Sequence, residues 1–331
     1  MVLSDVRIYE NRGTTTTTAT EDVASEALAS SKRRRNVRRK ALIVGINEYQ
    51  NPNNNLQGCV PDAQDMAATL RMLGFPASKQ RLLINEQAST DGILAGLDWL
   101  TKDMASGDVC IFYYSGHGSQ VADLNNEETD RLDEIICPWD ISWNGRKYIT
   151  DDQLYDYFSK KVSAGVRTDV VLDSCFSGSA TRSFNLNSTL YNRKQRYLPP
   201  PVNHRSRINS MIPTFSERLM FGARSVFGPD IVKQNNVLWS GCQEDQVSWE
   251  MVLGGSGNQV RGAFTYYLCS ILREFQGNAS RREIYTLMRD RMNQEGFEQI
   301  PNLEGPSAEI LDIFPFRKAS EIDQASEMKK R

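Results

Sequence analysis

Two side chains in this sequence are reactive and placed where catalysis would use them, Cys175 and His117. Cys175 follows the apolar run Val170-Val171-Leu172 through Asp173 and Ser174, and Ser177-Gly178 ends the stretch. A short apolar run closed by glycine reads as a buried strand ending in a loop. In open parallel sheets, ligands bind beyond the carboxyl ends of the strands. The chain has only two histidines. His204 lies in the loop-like PPPVNHRSR, whereas His117 stands between Gly116 and Gly118 at the end of a second apolar run, residues 109–114. Small residues on both sides let a substrate backbone approach. A thiol nucleophile needs an imidazole that takes its proton and later protonates the leaving amine. Taken singly, each residue has an ordinary reading: free Cys is usually a small core hydrophobe, and a lone His is usually satisfied by a backbone hydrogen bond. Their matched positions at two strand ends favour the chemical reading.

A second spacing says what the thiol would cut. Ser115 precedes His117 by two residues and Asp173 precedes Cys175 by two. Strand side chains alternate, so each pair shares a face. A carboxylate one step deeper than the nucleophile must be paired, because an unpaired buried charge is very costly. A cationic substrate side chain is the natural partner. Asp62, in Gly58-Cys59-Val60-Pro61-Asp62, opens a helix that reaches the same edge. Spacing alone leaves it either an N-terminal cap or a cap that also serves the pocket.

The elements that must position these residues alternate along the chain. Strands are expected at 41–46, 81–84, 109–114, 168–173 and 237–240, with a last one at 308–313. Helices are expected at 62–73, 90–104, 151–160, 264–275 and 280–293. Residues 121–147 read as a polar loop with one strand, 134–137. Strands alternating with helices predict an α/β fold with a mostly parallel sheet flanked by helices. Residues 1–40, with a threonine run and KRRRNVRRK, read as a disordered basic N-terminal segment. The catalytic part then divides into 41–178, a linker at 179–236 with many Arg and three consecutive Pro, and 237–316. Residues 317–331 form a polar tail.

Composition narrows the classes. A hydrophobic share of 40 % supports a real core, and a net charge of −2 gives no field for nucleic acid. The six cysteines show neither a CxxC pair nor a dense framework, which argues against a zinc ribbon or disulfide scaffold. The N-terminus has no apolar signal region, and no apolar run approaches a membrane span. The expectation is a cytoplasmic monomer with no membrane or nucleic-acid partner and no organic cofactor.

YYSGHGSQ and VVLDSCFSG resemble the two active-site motifs of metacaspases and bacterial caspase-like peptidases. ALIVGINEY, LQGCVPDA, LDEIICPWD, YITDDQL, VLWSGCQEDQVSWE, RGAFTYYL and PNLEGP match that family in order, over about residues 40–316. The resemblance implies a caspase–haemoglobinase fold and a cysteine endopeptidase that cleaves protein or peptide substrates after Arg or Lys. It implies Cys175 as nucleophile and His117 as general base. It assigns the oxyanion hole to the backbone N–H groups of Gly118 and Cys175, and the S1 pocket to Cys59, Asp62, Ser115 and Asp173. Such enzymes are often calcium-activated, and the matching acidic positions are Asp133, Asp151 and Asp152, hard ligands suited to Ca2+. The family's fourth carboxylate position holds Arg182, which would weaken that site, so calcium dependence stays open. Phe176 replaces a frequent His.

An acidic S1 pocket also gives the basic segments a role. The enzyme would process itself, as a zymogen, within residues 32–40 or after one of Arg182, Arg193, Lys194, Arg196, Arg205, Arg207, Arg218, Arg224 and Lys233. The rival readings are a catalytically silent caspase-like scaffold, which the presence of both dyad residues opposes, and a module whose main substrate is itself.

Overall fold

The computed structural model describes residues 6–9, 37–122, 132–176, 195–204, 236–242, 248, 250–253 and 259–314. In chain order the elements are β1 (Val6–Tyr9), β2 (Arg39–Gly45), α1 (Cys59–Met72), β3 (Gln80–Ile84), α2 (Thr90–Thr101), β4 (Val109–Ser115), β5 (Gly118–Ala122), β6 (Leu132–Ile136) and β7 (Ile149–Thr150). There follow α3 (Asp151–Tyr155), continued by a π-helical turn to Lys161, β8 (Arg167–Asp173), β9 (Asn236–Ser240), β10 (Glu250–Leu253), β11 (Gln259–Gly262), α4 (Ala263–Glu274), α5 (Arg281–Gln294), β12 (Asn302–Pro306) and α6 (Ser307–Leu311).

The main sheet has the order β1-β12-β9-β8-β4-β2-β3. Neighbours are parallel except β12 on β9. Its central strands are buried, β4 along its whole length and β8 from Thr168 on, as a sheet covered on both faces requires. The pleat sends alternate residues to two cores. Leu42, Val44, Phe112, Tyr114, Val170 and Leu172 pack with α2 residues Ile93, Leu97 and Leu100. Ile43, Ile111, Tyr113, Val171 and Trp239 pack with α1, α4 and α5 through Leu70, Leu268 and Met288. Helix starts follow local chemistry: Ser89 Oγ accepts from Gly92 N–H at 3.2 Å, and Ser280 and Glu283 form a reciprocal capping box.

Three expectations are corrected. Residues 308–313 are not a strand: Ser307–Leu311 is helical, and the strand is the preceding Asn302–Pro306, which pairs with β9 on one side and β1 on the other. The run Ala308-Glu309-Ile310-Leu311 is too short for its period to separate helix from strand. Residues 1–40 are not wholly unstructured, because Val6–Tyr9 adds a parallel strand to β12. Within 121–147 the expected strand 134–137 is β6, Leu132–Ile136, and it joins β5 and β7 in a separate antiparallel sheet rather than standing alone in a loop. The hairpin β10–β11, which no pattern announced, lies just before α4. The basic run at 32–36, Ser177-Gly178, the linker basics other than Arg196, and the polar tail lie outside the described residues. No described helix is long and apolar enough to cross a membrane.

Candidate active site

β4 and β8 are adjacent and parallel, with Ser115 opposite Asp173. His117 and Cys175 stand two residues beyond this pair, at the carboxyl ends of neighbouring strands. The imidazole is almost completely buried. Its Nε2 lies 2.8 Å from the carbonyl oxygen of Asn54. A carbonyl only accepts, so Nε2 carries the proton and the neutral ring keeps Nδ1 as its basic nitrogen. The backbone is fixed as well: His117 N–H donates to Tyr49 Oη at 2.8 Å, and Tyr114 Oη donates to His117 O at 2.7 Å. The backbone hydrogen bond of an ordinary histidine is thus present here, and it serves to set the tautomer.

Cys175 is buried beside Cys242 and the ring of Tyr197. Ser248 N–H donates to its Sγ. A hydrogen bond to Cys175 and burial together push the Cys242 thiol well above its ordinary pKa, so this neighbour stays protonated. The backbone N–H groups of Gly118 and Cys175 converge on one acceptor, the carbonyl oxygen of Arg196, at 3.0 and 3.3 Å. A side chain at position 118 would run into the carbonyl of Cys175. Glycine there is therefore demanded by the chain's own backbone.

The side chain of Arg196 fills a closed acidic pocket. Its Nη1 lies 2.8 Å from both Asp173 Oδ2 and Ser115 Oγ; its Nη2 lies 2.7 Å from Asp62 Oδ2 and 3.7 Å from Glu250 Oε1. Arg196, Asp62 and Asp173 have no exposed side-chain surface. Burying such charges costs several kcal/mol per ion unless partners compensate, and here the partners are numerous. Asp173 also accepts from Ser248 Oγ and Thr265 Oγ1, both at 2.6 Å. Asp62 accepts from Arg261 Nε at 2.7 Å and from Gly262 N–H at 2.8 Å. Burial pushes the Asp62 carboxyl up to about 6, with Arg196 and Arg261 pulling down and Asp173 pushing up. Gly262 closes the wall, since any Cβ there would meet Asp173, Arg196 and Asp62.

The structure therefore brings Cys59, Asp62, Ser115 and Asp173 to one place. Cys59 joins through Glu250, its Sγ 3.8 Å from Oε1. Asp62 is not a helix cap: Gly58 occupies that position, and the carboxylate of Glu250 takes the N–H groups of Gln57 and Gly58 instead, at 3.1 and 2.6 Å. Sequence reasoning missed Glu250, Ser248, Arg261, Gly262 and Thr265. The quoted motifs VLWSGCQEDQVSWE and RGAFTYYL span all five of these positions, but nothing in their periodicity aims them at the pocket. Phe176 is buried in the α2-side core.

The calcium positions behave differently. The β6–β7 register, Ile135 opposite Thr150, carries Asp133 towards Asp151 and Asp152 at the start of α3. Among the described residues, however, no group of three or more His, Cys, Asp or Glu side chains is disposed to hold a metal ion. Arg182 lies outside them. Asp133 and Asp151 are both buried, and no step below runs through a metal ion.

The caspase domain family matches residues 38–309. Metacaspase-1A of Aspergillus niger is 30 % identical over 292 residues, covering 80 % of this chain and 70 % of that protein. Metacaspase-1A of Aspergillus oryzae is 29 % identical over 303 residues, covering 83 % and 70 %. A Geobacter sulfurreducens protein of known crystal structure superposes with a TM-score of 0.61 at 29 % identity, covering 85 % of this chain and 99 % of that one. Caspase-1 of Spodoptera frugiperda shares the fold, at a TM-score of 0.51 and 14 % identity over 81 % of this chain and 86 % of that one. With the caspase domain matched over most of its length and metacaspase relatives at this identity and coverage, the chain belongs to the caspase-domain cysteine peptidases, as a metacaspase-like member of that family.

Proposed function

We propose that the chain is a cysteine endopeptidase that cuts after arginine, and more weakly after lysine, through Cys175 and His117. The observation that carries this reading is the seating of a guanidinium between Asp173, Ser115, Asp62 and Glu250, with the carbonyl of the same residue between the N–H groups of Gly118 and Cys175. His117 Nδ1 takes the thiol proton, and Sγ attacks the carbonyl carbon. The two N–H groups stabilise the oxyanion, where a single donor of this kind is worth about 10²–10³ in rate. The leaving amine takes the proton from His117, and water then hydrolyses the thioester. Arginine is favoured because its two Nη groups reach two different sets of acceptors at once. A lysine ammonium is a single point of charge and cannot span both. The same pocket chemistry supports self-processing at basic residues of the chain.

The test is a panel of fluorogenic peptides with Arg, Lys, Asp or norleucine before the scissile bond, run with calcium and with chelator. Turnover of Arg over Lys, with neither Asp nor norleucine cut and Cys175→Ala inert, is the expected pattern. Asp-only turnover would overturn the pocket assignment, and no turnover in either condition would leave a scaffold.

A further inference from the structure

We infer that Arg261 is a positioning residue of the cleavage reaction: it turns Asp62 so that one carboxylate oxygen meets the substrate guanidinium, and it thereby sets the preference for arginine over lysine. This rests on the endopeptidase reading above and deepens it, naming a specificity determinant that binds the pocket wall rather than the substrate side chain. Asp62 lies in the first turn of α1, and Asp65 follows three residues later on the same helix face. Arg261 comes from β11 and spans the two. Its Nε donates to Asp62 Oδ1 and its Nη2 to Asp65 Oδ2, each at 2.7 Å. The next residue of β11 adds a backbone bond, Gly262 N–H to Asp62 Oδ2 at 2.8 Å. Both oxygens of Asp62 are thereby assigned. Oδ1 is turned to Arg261, and Oδ2 faces the seated guanidinium, 2.7 Å from Arg196 Nη2. Asp65 is held in turn from α4, where Arg273 Nη1 donates to Asp65 Oδ1 at 2.6 Å and to Thr69 Oγ1 at 2.9 Å.

The plainer role for Arg261 is a staple between the β10–β11 hairpin and α1, and two observations go beyond it. The hairpin is already fastened to the start of α1 by Glu250, which lies opposite Gly262 and takes the N–H groups of Gln57 and Gly58. Arg261 also reaches past Asp65 to a carboxylate with no exposed side-chain surface, and its own side chain is only 10 % exposed. Charges enclosed in this way are screened much less than surface pairs. Burial opposes the charge on Arg261, but Asp62 and then Asp65 raise its pKa, so it stays a cation. One resident cation against Asp62, Asp173 and Glu250 leaves the pocket acidic, and it still receives a guanidinium. The orientation of Asp62 matters for arginine above all. A guanidinium places one Nη on Asp173 and Ser115 and the other on Asp62. A lysine ammonium is a point charge that Asp173 and Ser115 can satisfy without Asp62.

The experiment compares full-length wild type, Arg261→Met and Arg261→Lys on two fluorogenic peptides that differ only in Arg or Lys before the scissile bond, with thermal stability measured alongside. Arg261→Met should raise KM for the arginine peptide about tenfold or more, as expected for one misplaced charge-assisted hydrogen bond. Its kcat should be nearly kept, because Arg261 touches no reacting atom. KM for the lysine peptide should change less, so the arginine preference falls. Arg261→Lys keeps a charge beside Asp62 but cannot span Asp62 and Asp65; it should restore part of the affinity and part of the preference. An arginine preference retained in Arg261→Met, with stability alone lowered, would make Arg261 a staple and overturn the inference while leaving the endopeptidase reading standing. Equal losses on the two peptides, or a wild type that cuts both equally well, would overturn it too. Should Arg261→Met fail to fold, Arg261→Lys decides, since an unchanged preference there has the same consequence. Absence of turnover in every protein, wild type included, would remove the endopeptidase reading itself.

Discussion

Strand β8 carries two buried aspartates, four residues apart on one face, and each meets a buried arginine. Asp169 takes Arg281 in a fork, Nε to Oδ1 at 2.9 Å and Nη2 to Oδ2 at 2.8 Å, and accepts from Trp239 Nε1 at 2.8 Å. Arg281 spends a third nitrogen on the Glu309 carbonyl at 2.9 Å, and Phe314 lies against the guanidinium. Asp173 takes Arg196, but there three carboxylates converge on one guanidinium, and Asp62 is shared with Arg261. At the first place charge is matched within a closed fork, and its arginine grows from helix α5. At the second, acid is in excess, and the arginine belongs to the linker segment 195–204. A balanced fork joins two pieces of scaffold. An acidic excess needs a cation from elsewhere and so behaves as a receptor.

The comparison breaks first if Asp173 proves merely structural. Asp173→Asn should lower kcat/KM on arginine peptides by about 10³-fold, equal to roughly 4 kcal/mol, while folding is kept. Equal losses of thermal stability in Asp173→Asn and Arg281→Met, with arginine preference intact, would make both sites scaffold. Arg281→Met leaves Asp169 as an uncompensated buried charge and should cost about 3–5 kcal/mol, a Tm drop of roughly 6–20 °C by calorimetry; any folded fraction should retain its preference for arginine.

A smaller effect is set by pH. Burial raises Asp62 to about 6 with a guanidinium in place, and Arg196 is one of the groups holding it down. The carboxylate is therefore charged above that pH and is neutralised as pH falls through it. kcat on an arginine peptide should fall below pH about 6, and the acid limb of kcat/KM, which reports the empty pocket, should lie higher. Asp62→Asn should remove both limbs, and limbs that persist in this variant would assign them to another group. The smallest expected change is at Glu250, whose Oε1 stands 3.7 Å from the guanidinium and serves the N–H groups of Gln57 and Gly58. Glu250→Gln keeps an acceptor and removes a charge. It should raise KM for arginine peptides about tenfold with kcat nearly kept, the signature of lost uniform binding. A fall in kcat instead would place Glu250 in the transition state.

The positions of His117, Cys175 and half the pocket were legible because they lie at the ends of apolar strands, where period and turn chemistry mark the position. Register did the rest, since Ser115 opposite Asp173 needs only that β4 and β8 be neighbours in parallel. The other half was illegible because it arrives from far along the chain. Glu250 lies 192 residues from Gly58, and Thr265 lies 92 from Asp173. Neither position has a local reason to be polar and buried. The misplaced last strand has a local cause: a five-residue element offers too little period to separate a turn of helix from a strand.

The sequence by itself determined the reaction class and raised the expectation of a cationic substrate side chain. A thiol and an imidazole at strand ends, each above a polar residue on its own face, already ask for a cation. Which cation was a matter of tertiary structure. Nine basic residues stood in the linker on equal terms, and only the folded chain brings Arg196 to the pocket with its carbonyl between Gly118 and Cys175. The physical reason is that a buried guanidinium is held only where carboxylates from separate parts of the chain converge, and that convergence exists in three dimensions alone.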